Sequence, residues 1–154
     1  MMTSILFEGD LNHWYESGAV DDVVIRDNLF YDCVYGGGKG SVIWINPRMK
    51  QTVKDQPYEK NIIIENNEFR TFDNSILNAL SVDGLIFRNN KIIESRTYPK
   101  LWPDMPTIEI QDGLNTIIQN NFFEGEGQAR IVIDENSRRS LKIDKKQKNF
   151  LPFK

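Results

Sequence analysis

The 154-residue sequence holds a single cysteine, Cys33, and a single histidine, His13. One cysteine cannot close an internal disulfide, so cysteine usage leaves the compartment open. One histidine with no cysteine cluster near it gives little support to a zinc site or to a Ser-His-Asp triad. An excess of positive charge is also missing: 19 Lys and Arg stand against 22 Asp and Glu, a net charge of −3. That argues against a general nucleic-acid binder, which needs a basic footprint to displace phosphate counterions. No apolar run approaches the roughly 18 residues of a membrane span, so no membrane partner is expected. The start, Met1 to Asp10, has no basic segment and turns acidic early, so it does not read as an export signal. No window shows a long amphipathic helix, which sets aside βαβ folds. A chain that is 40% hydrophobic and 27% charged is nevertheless an ordinary globular composition.

What the sequence does have is an internal repeat. Four segments align on one asparagine: Val23–Phe30 (VVIRDNLF), Ile62–Phe69 (IIIENNEF), Leu85–Ile92 (LIFRNNKI) and Thr116–Phe123 (TIIQNNFF). The shared pattern is apolar, any, apolar, polar, Asn or Asp, Asn, any, apolar, and only Thr116 breaks it. Alternation with period two, rich in Ile, Val and Phe, predicts a strand with one face in the core. The Asp-Asn or Asn-Asn pair then bends the chain, because these residues tolerate the left-handed conformation. Each repeat is therefore strand, bend, strand.

From Asn28 to Asn67, Asn90 and Asn121 the steps are 39, 23 and 31 residues. The shortest fits one coil of a β-helix, and the longer ones fit the same coil with loops added. The additions are the polar stretch 47–60 and the proline-bearing stretch 94–106. A second set of strands is predicted at Ser41–Ile45, Ser75–Leu77, Thr107–Ile110 and Arg130–Ile133. The expected fold is all-β: a single-stranded right-handed parallel β-helix of about four coils with loop insertions, forming one domain over 1–154. Stacked coils lie about 4.8 Å apart, so the four asparagines would form a side-chain ladder. The competing expectation is that they only mark exposed turns. Residues Phe150, Leu151, Pro152 and Phe153 could cover the C-terminal end.

Gly36 to Ser41 (GGGKGS) lacks the spacing of a phosphate loop and leads into a strand, so it reads as a connecting loop. The basic residues between Arg138 and Lys148 read as the solvated face of a terminal strand, and Cys33 as a residue turned toward the core. Acidic residues gather near the N-terminus: Glu8, Asp10, Glu16, Asp21 and Asp22. Paired carboxylates are the usual equipment of a glycosidase, and Trp14 and Tyr15 beside them could stack on sugar rings. Tyr58 and Trp102, carried by the two inserted loops, are further candidate sugar contacts.

Phe7-Glu8-Gly9-Asp10, then Trp14-Tyr15-Glu16-Ser17-Gly18-Ala19-Val20 and Val24-Ile25-Arg26-Asp27-Asn28, resemble glycoside hydrolase family 110. So do Asn61 to Asn67, Phe72-Asp73, Ile76-Leu77 and Ala79 to Val82. The resemblance implies inverting exo-α-1,3-galactosidase chemistry on a pectate-lyase-like β-helix, with a galactoside-containing glycan as partner. From the residues themselves, no cofactor and no metal are expected. Glu16 matches the family's Glu-Ser-Gly-Ala-Val stretch and is the first candidate for a catalytic carboxyl, with Glu8 the second. Trp14, Tyr15, Asp10, Trp102 and Tyr58 are the candidate substrate contacts. Family members are several times longer and this chain resembles their later coils, so the expectation is a fragment of a longer β-helix, inactive or incomplete by itself. A secreted or periplasmic setting is expected for the family. The alternative is a non-catalytic glycan-binding or structural β-helix, and a homo-oligomer stays open. A polysaccharide lyase shares the fold but needs a calcium-type aspartate cluster that the repeat does not supply.

Overall fold

The computed structural model describes residues 3–10, 18–33, 40–70, 74–94, 102–125, 129–144 and 150–151. Strand β1 (Thr3–Phe7) precedes four successive coils. The first is β2 (Val23–Arg26), β3 (Leu29–Tyr31) and β4 (Ser41–Ile45). A short β5 (Glu59–Lys60) leads into the second, β6 (Ile62–Glu65), β7 (Glu68–Arg70) and β8 (Ser75–Leu80). Then β9 (Val82–Asp83) leads into β10 (Ile86–Arg88), β11 (Lys91–Ile93) and β12 (Ile108–Gln111). The fourth coil is β13 (Ile117–Gln119), β14 (Phe122–Glu124) and β15 (Ala129–Ile133). One helical turn, α1 (Glu135–Arg138), then β16 (Lys142–Ile143) and β17 (Phe150–Leu151) follow.

Equivalent strands pair in parallel and build three faces. The first sheet runs β1-β4-β8-β12-β15-β17, the second β16-β13-β10-β6-β2, and the third β14-β11-β7-β3. Every strand adds beside its counterpart one coil earlier, which is a parallel β-helix. Period-two alternation sends one residue in two inward, so each register position becomes a column along the axis. Ile25, Ile64, Phe87 and Ile118 form one buried column, and Phe30, Phe69, Ile92 and Phe123 another. The rings of Phe30 and Phe69 stack at 4.9 Å, close to the coil spacing itself.

The asparagines do form a ladder. Asn67 Oδ1 accepts from the backbone N–H and the side-chain amide of Asn28, both at 3.0 Å. Asn90 Oδ1 accepts the same pair from Asn67 at 3.0 and 3.2 Å, and Asn121 Oδ1 from Asn90 at 2.9 and 3.0 Å. The amide nitrogens of Asn67, Asn90 and Asn121 also donate to the carbonyls of Ile25, Ile64 and Phe87. All three side chains are buried, so these bonds satisfy groups that water does not reach. The left-handed residue is the one before each ladder asparagine: Asp27, Asn66, Asn89 and Asn120, with φ between 52 and 58°. A second left-handed set, Asp22, Asn61, Gly84 and Asn115, opens the second-sheet strands at the same spacing. Gly84 has φ 78°, and a Cβ there would come within 3.1 Å of Asn61 Oδ1.

One feature departs from the sequence reading. The first basic residues of the tail do not extend a strand: Arg138 ends α1, which Asp134 caps by accepting from the Ser137 N–H at 2.9 Å. A capping side chain makes a helical turn the better use of this stretch. Thr116 occupies an interior position despite its hydroxyl, which has no hydrogen-bond partner among the described residues. The cysteine reading stands in part, with Cys33 half-buried against the core.

Replacing Asn67 by leucine should lower stability by about 1–3 kcal/mol, because it orphans the Asn28 N–H and the Ile25 carbonyl. Thr116→Val should act in the opposite sense, by about 1 kcal/mol, since it removes a buried hydroxyl without changing side-chain shape. Urea denaturation midpoints of the two variants check both signs, and an unchanged midpoint for Asn67→Leu would reduce the ladder to surface turns.

Candidate functional site

The predicted site residues that the structure describes fall on the two edges of the first sheet. At the edge facing the second sheet, the chain leaves β1 and runs beside the segment leaving β4. Asn46 N–H donates to the Phe7 carbonyl at 2.9 Å and Arg48 N–H to the Gly9 carbonyl at 2.8 Å. This pairing sets the Glu8 carboxylate against the Arg48 guanidinium, and Asp10 is bridged to Arg48 through the backbone. The arginine is well exposed, so the ion pair orients Glu8 more than it stabilises the fold. Tyr58 packs over Gly9: a Cβ at that position would sit 2.9 Å from the tyrosine ring. Glu8, Asp10 and Tyr58 are thus brought to one corner.

That corner opens into a cleft of about 600 Å³, whose lining includes Asp21, Lys50, Gln51, Gln56, Tyr58 and Lys60. Its wall is the inserted loop 46–58, pinned along the axis by Thr52, whose hydroxyl donates to Asp112 at 2.5 Å. Trp102 lies elsewhere. It opens a turn closed by the Met105 N–H at 3.2 Å, in the loop entering β12 from the third sheet. Tyr58 and Trp102 therefore flank opposite edges of the first sheet rather than sharing a pocket, and the two insertions leave from adjoining corners. Glu16, Trp14 and Tyr15 lie outside the described residues. No group of three or more His, Cys, Asp or Glu gathers as metal ligands among the described residues.

Directly beneath the cleft is a carboxyl that sequence reasoning missed. Glu59 has no solvent-exposed surface, although it lies between Tyr58 and Lys60 in a polar stretch. On β5 it pairs with Val82 of β9, a core residue, so it occupies an interior column. Its Oε2 accepts the Val20 N–H, while Oε1 has no partner among the described residues. Burial pushes the Glu59 carboxyl above its ordinary value, against the opposing effect of the Val20 N–H. Burial also raises Tyr58, with the Glu59 charge adding to it. The signal was available in the repeat: the 39-residue step from Asn28 to Asn67 carries Val20 onto Glu59, and the 23-residue step carries Glu59 onto Val82.

The fold and this corner define a class: a parallel β-helix whose inserted loop walls a tyrosine-bearing cleft in which Asp21, Lys50 and Lys60 alternate with the apolar Met49, Val53 and Pro57. Comparison with curated proteins is more specific. The chain is 42% identical over 139 residues, 90% of its length, to alpha-1,3-galactosidase A of Bacteroides fragilis. It is 40% identical over 148 residues, 93% of its length, to alpha-1,3-galactosidase B of Bacteroides thetaiotaomicron. The corresponding protein B of Parabacteroides distasonis is 35% identical over 139 residues. The chain spans about a quarter of the length of these relatives, 23 to 24%. No family model matches it. The chain is homologous to the C-terminal part of these α-1,3-galactosidases, glycoside hydrolase family 110.

The buried carboxyl generates a pH prediction. A group whose folded value is raised contributes stability that is full below its unfolded value, about 4.5 here, and is lost as pH rises through the folded value. The wild-type chain should therefore lose stability from mildly acidic toward alkaline pH. Glu59→Gln keeps an acceptor for Val20 without the charge, so it should flatten that loss and be the more stable variant at alkaline pH. Urea midpoints of both chains across the range check this, and parallel curves would show that Glu59 does not titrate within it.

Proposed function

We propose that this chain forms coils of a longer β-helix that hydrolyses α-linked galactosides with inversion at the anomeric carbon. The observation that carries the reading is the 40–42% identity to α-1,3-galactosidases over nine-tenths of the chain. Inversion needs a carboxylic acid to protonate the leaving oxygen and a carboxylate to activate water on the opposite face, about 6.5–9.5 Å apart. Glu16 is the first candidate for one of these roles and Glu8 the second. Glu8 already faces Arg48 across the corner, which fixes the direction of its carboxylate. Asp10 and Tyr58 would contact the sugar from one end of the first sheet and Trp102 from its other edge, with Trp14 and Tyr15 as further candidate contacts.

The chain spans about a quarter of its relatives' length, and on this reading the second carboxyl of the pair would come from other coils of the longer β-helix. General acid–base catalysis contributes about 10²–10⁴-fold, so a lone carboxyl should give turnover near background. The purified chain, assayed on an α-1,3-linked galactoside, should hydrolyse it at or near the uncatalysed rate. Robust turnover abolished by Glu16→Gln would overturn the incomplete reading and make this a self-sufficient glycosidase. A structural β-helix without a ligand would bind no glycan at all in a titration followed by NMR.

A further inference from the structure

Along the outward face of the first sheet, the parallel register lines up Leu6, Trp44, Asn78, Glu109 and Val132 in one column, one residue per coil. Their neighbours along each strand point inward: Ile43, Ile45, Leu77, Ala79, Ile108 and Ile110 are all buried. Trp44, Asn78 and Glu109 are half-buried and Leu6 is 46% exposed, so the column is open to solvent. At the fourth of these positions the Glu109 carboxylate is held by two amides. Oε2 accepts from Asn78 Nδ2 at 3.1 Å, and Oε1 accepts from Gln111 Nε2 at 2.8 Å.

The other faces carry different columns. On the second sheet the outward residues are aliphatic (Val24, Ile63, Ile86, Ile117), beside a charged row containing the Glu65–Arg88 ion pair at 2.6 Å. The third sheet aligns Leu29, Glu68, Lys91 and Phe122. Among the described residues, the first sheet alone sets an indole, an amide and an oriented carboxylate on consecutive coils. The inserted loop 46–58 and the loop holding Trp102 both border this sheet, one at each edge.

We propose that this column is a carbohydrate-binding strip for a neutral pyranoside chain. The indole of Trp44 stacks on the apolar face of a sugar ring. The fixed carboxylate of Glu109 accepts hydrogens from ring hydroxyls one or two coils away, and the Asn78 and Gln111 amides hold its rotamer. Coils about 4.8 Å apart let a single ring bridge neighbouring positions. A fixed negative charge within the strip disfavours uronic acids and sulfated sugars, because like charges brought together without a counter-ion repel. This rests on the glycan reading above but assigns residues that the family resemblance does not name.

The test is a titration of the full chain with an α-1,3-linked galactobioside and, separately, with an oligogalacturonate. The wild type should bind the neutral sugar and not the acidic one. Trp44→Ala should weaken neutral-sugar binding about tenfold, Trp44→Phe should restore much of it, and Glu109→Gln should weaken it about tenfold while admitting the uronate. Tyr31→Ala, exposed on the third sheet, is the control that leaves binding unchanged. Circular dichroism of each variant confirms that it is folded. Wild-type affinity in both Glu109→Gln and Trp44→Phe together with Trp44→Ala would overturn the strip while leaving the glycan reading in place. If the wild type binds no neutral sugar at all, the glycan reading and the strip fall together.

Discussion

The amide ladder is the interaction on which the rest of this structure depends. A coil of a β-helix turns sharply between its second and third faces, and the turn places a polar side chain inside the barrel of coils, where water does not compensate it. The asparagine amide resolves the conflict because it is both donor and acceptor. Its oxygen receives two hydrogens from the coil before, and its nitrogen returns one to that coil's backbone and one to the next oxygen along the ladder. No residue that is only a donor or only an acceptor could occupy consecutive rungs. With Asn28, Asn67, Asn90 and Asn121 in line, the register of all three sheets is set, because a shift by one residue would turn every core column outward.

Register explains why so much was legible in the sequence. The four aligned asparagines located the bends, the strands on either side of them, and the two long insertions, all without knowledge of any contact. The same offsets also contain what was overlooked. Glu59 reads as a surface residue if its neighbours Tyr58, Lys60 and Asn61 are the guide, and as a core residue if Val20 and Val82 are. Local polarity and long-range register disagree there, and register wins because a coil cannot rotate one residue outward without breaking the pairing on both sides. Trp44 was hidden for a related reason. A tryptophan in an apolar strand suggests core, yet its position between Ile43 and Ile45 in a period-two strand sends it outward.

What the sequence did not show is how loops distribute aromatics. Tyr58 and Trp102 both belong to insertions, but one follows the first sheet and the other precedes it. An insertion is cheap wherever the coil turns a corner, since closure entropy grows only slowly with loop length. The corner is therefore free to vary while the strands are not, and only the strand order tells which corner is involved. Tyr58 is held over Gly9 because glycine leaves room for its ring, and Thr52 ties the same loop to Asp112 two turns along. The cleft at this corner is thus built on fixed contacts rather than on loop composition.

The placement of carboxylates on the first sheet bears on whether these coils could do acid–base chemistry unaided. Glu8, at the end of β1, and Glu109, on β12, are three coils apart in the strand order, about 14 Å at the coil spacing. That exceeds the 6.5–9.5 Å of an inverting pair. Asp134 stands nearer to Glu109, on the adjoining coil, but both of its oxygens are engaged: Oδ1 by the Ser137 N–H and Oδ2 by the Asp112 N–H. Its partial burial would raise its pKa, yet the Ser137 and Asp112 hydrogen bonds and the charge of Arg138 outweigh that and hold the carboxyl below its ordinary value. A carboxyl so committed makes a poor proton donor near neutral pH, and moving it would uncap α1. Neither Glu8 with Glu109 nor Glu109 with Asp134 therefore has the geometry and freedom that an inverting pair requires, while the Glu109 carboxylate, held by Asn78 and Gln111, keeps a fixed orientation on the outward face.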